Sequence, residues 1–329
     1  MKKIALEEHF ITSDFLDYTE EIDFSMMKPQ MVNDFKSRLL DFDDLRISAM
    51  DKAGIDISVL SLTDPGVQGN LKKEIAVELA HKTNVFLAEK IAKNPKRFRG
   101  FATLAMQDPT EAAKELERCV REYHFLGALI NGQTQGHYLD EKQFYPFWTK
   151  VEELNVPIYL HPGSPEEMPL NYLDQEELAG ALWGWTVETG THALRLVFSG
   201  LFDRFPHIKI ILGHMGESLP YLLWRLDSRW NILKHTINLK KPPSQYFKDN
   251  FYVTTSGMCS TGPLLCAIHE LGEDRVMFSV DYPYESSEVA SHFIEQAPLS
   301  DTVRKKIYYK NAQTTFKPVN RKYVSNCAL

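Results

Sequence analysis

Five residues in this chain are of types that do chemistry together: Glu7, His9, His161, His214 and Asp281. Glu7 and His9 close the run Ile4-Ala5-Leu6-Glu7-Glu8-His9-Phe10, which is apolar at its start and charged at its end. Side chains alternate faces along a strand, so Glu7 and His9 share one face and Glu8 takes the other. A carboxylate and an imidazole on one face can grip one divalent metal. His161 stands before Pro162-Gly163, His214 in Gly213-His214-Met215-Gly216-Glu217, and Asp281 before Tyr282-Pro283. Each has a plainer reading taken singly: a solvated edge strand for Glu7 and His9, a carbonyl-bound strand end for His161, a helix-start arrangement for His214 and Glu217, a turn cap for Asp281. Taken jointly they have another property in common, because each follows a short apolar run. Imidazole nitrogens and carboxylate oxygens suit zinc, manganese or iron, and the absence of thiols argues against a structural zinc site.

The elements that must bring these residues together are strands. Apolar, β-branched-rich runs occur at 4–10, 57–62, 98–104, 126–130, 157–160, 208–212, 251–255 and 276–280. Helical patterns lie between and after them at 43–53, 74–93, 109–123, 144–154, 177–198, 264–271, 287–295 and 301–311. Eight strands, almost every one followed by a helical pattern, give the cadence of an α/β fold of the (β/α)8 TIM-like barrel type, with loop insertions. No glycine-rich phosphate loop follows the first strand, which counts against an open dinucleotide-binding sheet. In such a barrel the active site lies at the C-terminal strand ends, and that is where the five residues fall. Residues 10–41 read as an irregular insertion with a helical turn, a lid carrying Phe24, Met26, Met27 and Phe35. Residues 229–248 read as polar, basic and proline-containing, and 318–329 as a C-terminal arm. No linker divides the chain, so residues 1–329 are expected to form a single domain. Of the other histidines, His81, His124, His269 and His292 sit in or beside helices and His137, His207 and His235 in loops. His192 lies on a helix that could line the pocket.

Composition narrows the function classes. The 329 residues are 43% hydrophobic and 25% charged, with a net charge of -7, as expected of a soluble globular protein. No basic stripe points to nucleic acid, and no 18-residue apolar run points to a membrane. The start Met1-Lys2-Lys3 leads into too few apolar residues for a signal peptide. Cys119, Cys259, Cys266 and Cys327 form no C-x-x-C pair, so a reduced, cytoplasmic setting is the simplest expectation.

The motifs as a set resemble the amidohydrolase superfamily. Ala5-Leu6-Glu7-Glu8-His9-Phe10, Leu160-His161-Pro162, Ile211 to Glu217 and Phe278 to Glu285 carry the resemblance, with support from Leu126 to Gly132, Thr191 to Leu196 and Ser199 to Asp203. Within the superfamily the chain is most similar to the non-oxidative aromatic decarboxylase branch, in particular to the group acting on γ-resorcylate (2,6-dihydroxybenzoate) and related dihydroxybenzoates and salicylate. Hydrolytic members typically begin His-x-His, whereas this chain has Glu7 at the first position. The resemblance implies one divalent metal per subunit, Mn2+ or Zn2+, on Glu7, His9, His161 and Asp281. It implies that His214 and Glu217 handle protons near Asp281. More weakly, it implies that Arg225, eleven residues after His214, and Tyr284 meet the substrate, with Asn131 at the fourth strand's end. A homotetramer built from dimers is implied too.

The chemistry expected follows from the cost of an aryl carbanion. Protonating the carboxylate-bearing carbon first gives CO2 an easy exit, and an ionised ortho-hydroxyl pushes electron density onto that carbon. A metal chelating the carboxylate and the ortho oxygen would favour that phenolate, and Asp281 would carry the proton. Three other readings remain at this point. One is a metal-dependent hydrolase of an amide, ester or lactone on the same barrel, against which Glu7 counts, as does Asn131 where a bridging lysine would stand. Another is a non-catalytic barrel binding a metal or aromatic ligand. The third is a decarboxylase of a non-benzoate acid such as a muconate semialdehyde. Phe10, Phe24, Trp183 and Trp185 are candidate pocket walls.

Overall fold

Among the described residues, eight short parallel strands carry the most buried segments: β1 (Ile4–Phe10), β2 (Ile57–Leu62), β3 (Phe98–Gly100), β4 (Ala128–Asn131), β5 (Ile158–His161), β6 (Ile210–Leu212), β7 (Phe251–Thr254) and β8 (Val276–Met277). The structure, a computed structural model, describes residues 1–18, 28–69, 71–235 and 237–316. Strands pair in sequence order from β1 to β3 and from β4 to β8. Single bridges join these two runs at both seams, Ala102 with Ala128 and Glu8 with Tyr282. At the first seam the Ala102 amide donates to the Gly127 carbonyl (2.8 Å); at the second, the His9 amide donates to Tyr282 (2.7 Å) and the Asp281 amide to Glu7 (3.0 Å). The order therefore returns to β1, and the expected barrel closes. β3 and β8 are shorter than their apolar runs, because at both seams the chain leaves regular pairing.

The core divides as strand alternation requires. Ile4 and Leu6 of β1, Ile57 and Val59 of β2, Phe101, Leu129, Tyr159, Ile211 and Met277 pack together inside the barrel, with Phe316, just past the last described helix, against Phe101. Ala5, Phe10, Leu60, Ile130, Leu160, Leu212, Val253 and Phe278 point outward, into the layer between strands and helices.

Two segments differ from the sequence expectation. Residues 10–41 are not irregular throughout, since they contain helices Ser13–Tyr18 and Pro29–Leu40. The second begins with proline in its first turn, where the missing amide hydrogen costs nothing. Its buried contacts are Phe35 and Leu39, one turn apart, too thin an apolar stripe to stand out in sequence. Phe24, Met26 and Met27, and the arm 318–329, lie outside the described residues. The second correction is a helix at Pro243–Asn250, in a stretch that reads as polar. It is held by buried Tyr246 and Phe247 and by Asn250, whose amide donates to the Pro206 and Ile208 carbonyls at 3.0 and 2.9 Å.

The first seam depends on a glycine. Gly127 has φ +153, and a Cβ there would lie 2.1 Å from the Pro157 carbonyl oxygen on the approach to β5. Neither backbone can yield without breaking β4–β5 pairing. Gly127→Ala is expected to destabilise the fold by about 3 kcal/mol, measured by denaturant unfolding. An unchanged midpoint and slope would contradict this account of the seam.

Candidate metal centre and active site

The site begins with a defect in β1. Ala5 pairs with Ser58 and Glu8 with Leu60, so β1 spends one residue more than β2 over the same span. This is a bulge, which re-aims the side chains beyond it. Ile4 and Leu6 already face the barrel interior. Strict alternation would turn Glu7 outward; the extra residue turns it inward instead, followed by Glu8 outward and His9 inward. The amides freed by the bulge are not lost, because both Leu6 and Glu7 donate to the Ser279 hydroxyl, at 3.3 and 2.7 Å.

Inside the mouth, Glu7, His9, His161 and Asp281 each offer one ligating atom, and these atoms lie within 4.8 Å of one another. His161 Nε2 is 3.3 Å from Glu7 Oε1, and His9 Nε2 is 3.2 Å from Asp281 Oδ1. The His161 Nδ1 atom lies 2.8 Å from the Pro162 carbonyl. A carbonyl only accepts, so Nδ1 carries the proton and Nε2 presents its lone pair. Nε2 and Glu7 Oε1 are then two acceptors face to face. Glu7 Oε1 and His9 Nε2 are buried with no hydrogen-bond partner among the described residues. Buried polar atoms converging without hydrogen-bond partners are what a cation satisfies, so the residues fit a divalent metal.

The electrostatics agree. Burial works against charging His161 and His214, yet Glu7 and Asp281 raise both, Asp64 adding to His161 and Glu217 to His214, so the pocket draws positive charge. Burial would also raise Asp281, but His214 and His9 outweigh it and hold its carboxyl below the usual range. Burial lowers His9, which favours the neutral imidazole a metal needs. Glu7 and His9 side chains are fully buried, whereas Asp281 and His214 are 16% and 21% exposed. The site therefore opens on the Asp281–His214 side.

His214 sits in an unusually shaped loop. His214, Met215, Glu217 and Ser218 all have positive φ, as has Asp281 at +81. Such conformations persist only where their surroundings enforce them, and they concentrate at functional sites. Here the Glu7 carbonyl accepts from the Asp281 amide and the Asp281 carbonyl from Glu285, both at 3.0 Å. His214 Nδ1 is 2.6 Å from Glu217 Oε1, and its Nε2 is 3.6 Å from Asp281 Oδ2. A carboxylate accepts, so Nδ1 is the donor and Nε2 is left to exchange a proton on the Asp281 side.

Of the remaining expected residues, two stand beside residues of the ligand set. Asn131 ends β4 in register with His161, and its Oδ1 is buried without a partner among the described residues. The Tyr284 hydroxyl is 2.6 Å from Thr63 Oγ1, and its ring centroid lies 5.8 Å from that of His9. Arg225 is exposed on helix Leu219–Trp230, with no hydrogen bond or ion pair among the described residues. His192 is structural: it is fully buried, accepts the Leu139 amide at 3.0 Å and is held near pKa 3 by burial. Phe10 packs outward against Phe42 and Phe86, not in the pocket, and Trp183 is half exposed.

Sequence reasoning passed over the hydroxyls around Glu7. The Tyr159 and Ser256 hydroxyls both donate to Glu7 Oε2. Tyr159 is two residues before His161 on the same strand face, the one signal that could have found it. It passed over Arg46 too, a buried guanidinium that donates to the His9 carbonyl and lies 4.6 Å from the Tyr282 ring centroid, tying the end of β1 to the second seam.

A closed parallel barrel with carboxylates and imidazoles at the ends of β1, β5 and β8 defines a class of metal-centred barrel enzymes. Residues 35–317 match the amidohydrolase family, and the chain belongs to that family, on its aromatic-acid decarboxylase branch. It is 47% identical to the γ-resorcylate decarboxylase of Polaromonas sp. (strain JS666), over 96% of this chain and 98% of that one. Among solved structures it is similar to a dihydroxybenzoic acid decarboxylase from Polaromonas sp. JS666 with bound manganese and the inhibitor 2-nitroresorcinol (TM-score 0.90, 45% identity, 96% of both chains). It is likewise similar to a 2,6-dihydroxybenzoate decarboxylase complexed with 2,6-dihydroxybenzoate (TM-score 0.90, 41% identity, 96% of this chain and 99% of that one).

Proposed function

We propose that this chain catalyses the reversible, non-oxidative decarboxylation of an ortho-hydroxybenzoate of the γ-resorcylate type to the phenol and CO2. The observation that carries the reading is the inward-turned Glu7, converging with His9, His161 and Asp281 on one point. One manganese ion per subunit fits this set of two carboxylates and two imidazoles better than a thiol-seeking metal would, and supplies Lewis acidity that favours the substrate phenolate.

The rest is work for the chain's own side chains. Asp281 Oδ2 takes the proton released as the ortho-hydroxyl ionises and delivers it to the carboxylate-bearing carbon. His214 Nε2, held on that side by Glu217, replenishes or steadies that proton. When the carbon–carbon bond breaks, its electron pair returns to the ring and restores aromaticity. CO2 leaves, and the phenolate oxygen takes a proton from solvent. In this reading Asn131 Oδ1 and the Tyr284 hydroxyl meet ring hydroxyl or carboxylate groups, and Arg225 meets the substrate carboxylate. Assembly as a homotetramer is part of the reading. Support for it comes from Tyr221, Trp224, Ile232 and Leu233, large apolar side chains 60–82% exposed on helix Leu219–Trp230 and just after it. No helix of the described residues is long and apolar enough to cross a membrane. A cytoplasmic location is proposed, with free thiols at Cys119, Cys259 and Cys266 in support.

The test is a CO2-release screen of manganese-loaded protein over 2,6-, 2,3- and 2,4-dihydroxybenzoate and salicylate. Release is expected from 2,6-dihydroxybenzoate, with resorcinol as product. Hydrolysis of an amide, ester or lactone with no CO2 from any of the four would overturn the proposal.

A further inference from the structure

The two oxygens of Glu7 face different surroundings. Oε1 looks toward the imidazoles of His161, His214 and His9, at 3.3, 3.8 and 4.0 Å. Oε2 looks the other way and accepts from both the Tyr159 and the Ser256 hydroxyls. Tyr159 OH is also 2.8 Å from Thr254 Oγ1, which fixes the phenol's direction. Glu7, Tyr159, Thr254 and Ser256 are all fully buried, so water does not compete for these bonds. Gly213 bounds the carboxylate on another side: a Cβ there would lie 2.8 Å from Oε2 and 3.3 Å from Oε1. Only a glycine leaves the carboxylate this room. Beneath it, Ser279 pins the bulge through the Leu6 and Glu7 amides.

We propose that Tyr159 and Ser256 are positioning residues that occupy Glu7 Oε2, so that Glu7 offers a metal Oε1 alone, and that this clamp sets the affinity of the site for its ion. The inference rests on the metal reading above. A glutamate has three rotatable bonds and two equivalent oxygens; unclamped, it can swing away or bind through both. Two hydroxyl donors on one oxygen remove that freedom before the ion arrives, so little ordering is left to be done on binding. They also draw negative charge from the ligating oxygen, leaving the ion a stronger Lewis acid. The clamp comes from β5 and from the residues at and just beyond the end of β7, while Glu7 comes from β1, so it spans the barrel interior.

The experiment uses the full-length protein stripped of metal, with Mn2+ affinity read by competition against a fluorescent chelator. Tyr159→Phe and Ser256→Ala each remove one hydroxyl and keep the packing. Each is expected to raise the Mn2+ Kd by about 10–100-fold, while the melting temperature of the metal-free protein stays within a few degrees of the parent. A tenfold or larger rise in either folded variant supports the clamp. A smaller rise in both, or tighter binding, overturns the clamp and leaves the metal reading standing, whereas a parent protein that binds no Mn2+ overturns both. Should Tyr159→Phe fail to fold, Ser256→Ala decides alone, because it deletes a single atom.

Discussion

Asp281→Asn is expected to lower kcat by about 10³-fold, inside the range of general acid catalysis, while the protein still folds and still takes up manganese. The substitution keeps the shape of the side chain and one oxygen able to face the His9 side, 3.2 Å away in the parent. It removes the one function an amide cannot perform, which is to hold a proton on Oδ2 and release it to carbon. The two roles of Asp281 are therefore separable: metal content, measured on the purified variant, reports the ligand role, and CO2 release at saturating manganese reports the proton role. A variant with bound manganese and near-parent turnover would remove Asp281 from the proton path. The neighbouring residues sharpen the expectation. His214 Nε2 lies 3.6 Å from Asp281 Oδ2 but 3.8 Å from Glu7 Oε1, so it stands beside the proton carrier without replacing it.

The barrel was legible because its strands are buried on both faces. β2 and β5 read as apolar runs in sequence, and their observed limits fall within a residue of the expectation. The seams were less legible. β8 contains two paired residues where the apolar run continues to Val280, since the chain beyond Met277 bends to present Asp281 with φ +81. Hydrophobicity records burial, and Phe278 and Val280 are buried with or without strand pairing. Helix Pro29–Leu40 was missed for the converse reason. It buries Phe35 and Leu39 and exposes most of the rest, so it has little apolar period to read.

In the site, residue type carried most of the signal. Carboxylates and imidazoles at strand ends are rare enough to notice, and the structure brings Glu7, His9, His161 and Asp281 together. The alternation argument reached the correct facing of Glu7 and His9 without the detail that makes it so. Leu6 and Glu7 both turn inward, which a regular strand forbids and the bulge permits. Nothing in Ile4-Ala5-Leu6-Glu7 announces a bulge, because it is specified by a partner 272 residues away, the Ser279 hydroxyl that takes the Glu7 amide. Tyr159 and Ser256 escaped notice for a related reason. Hydroxyls are common, and their meaning depends on which carboxylate they face. Arg225 rests on a motif offset alone, which marks a position on a helix, exposed within this chain, without saying what the side chain meets.

Stripping the protein of divalent metal is expected to reduce turnover to background, and Mn2+ alone is expected to restore it. The argument is the chemistry of the empty-handed atoms. Glu7 Oε1 and His9 Nε2 are buried polar atoms with no hydrogen-bond partner among the described residues, and His161 commits its Nδ1 proton to Pro162, leaving Nε2 bare. A cation satisfies all three at once, so binding also stabilises the folded state, by about 2.7 kcal/mol at a hundred times Kd. Two readouts should then move together on titration with Mn2+, rising melting temperature and returning CO2 release, with one midpoint and one ion per chain. Arg225 lies on an exposed helix and Tyr284 is tied to Thr63, so neither offers a second route to the Lewis acidity that favours the phenolate. Full activity in protein shown by elemental analysis to lack metal would end the metal-dependent reading. Thermal stabilisation without recovery of activity would place the ion in folding and not in turnover.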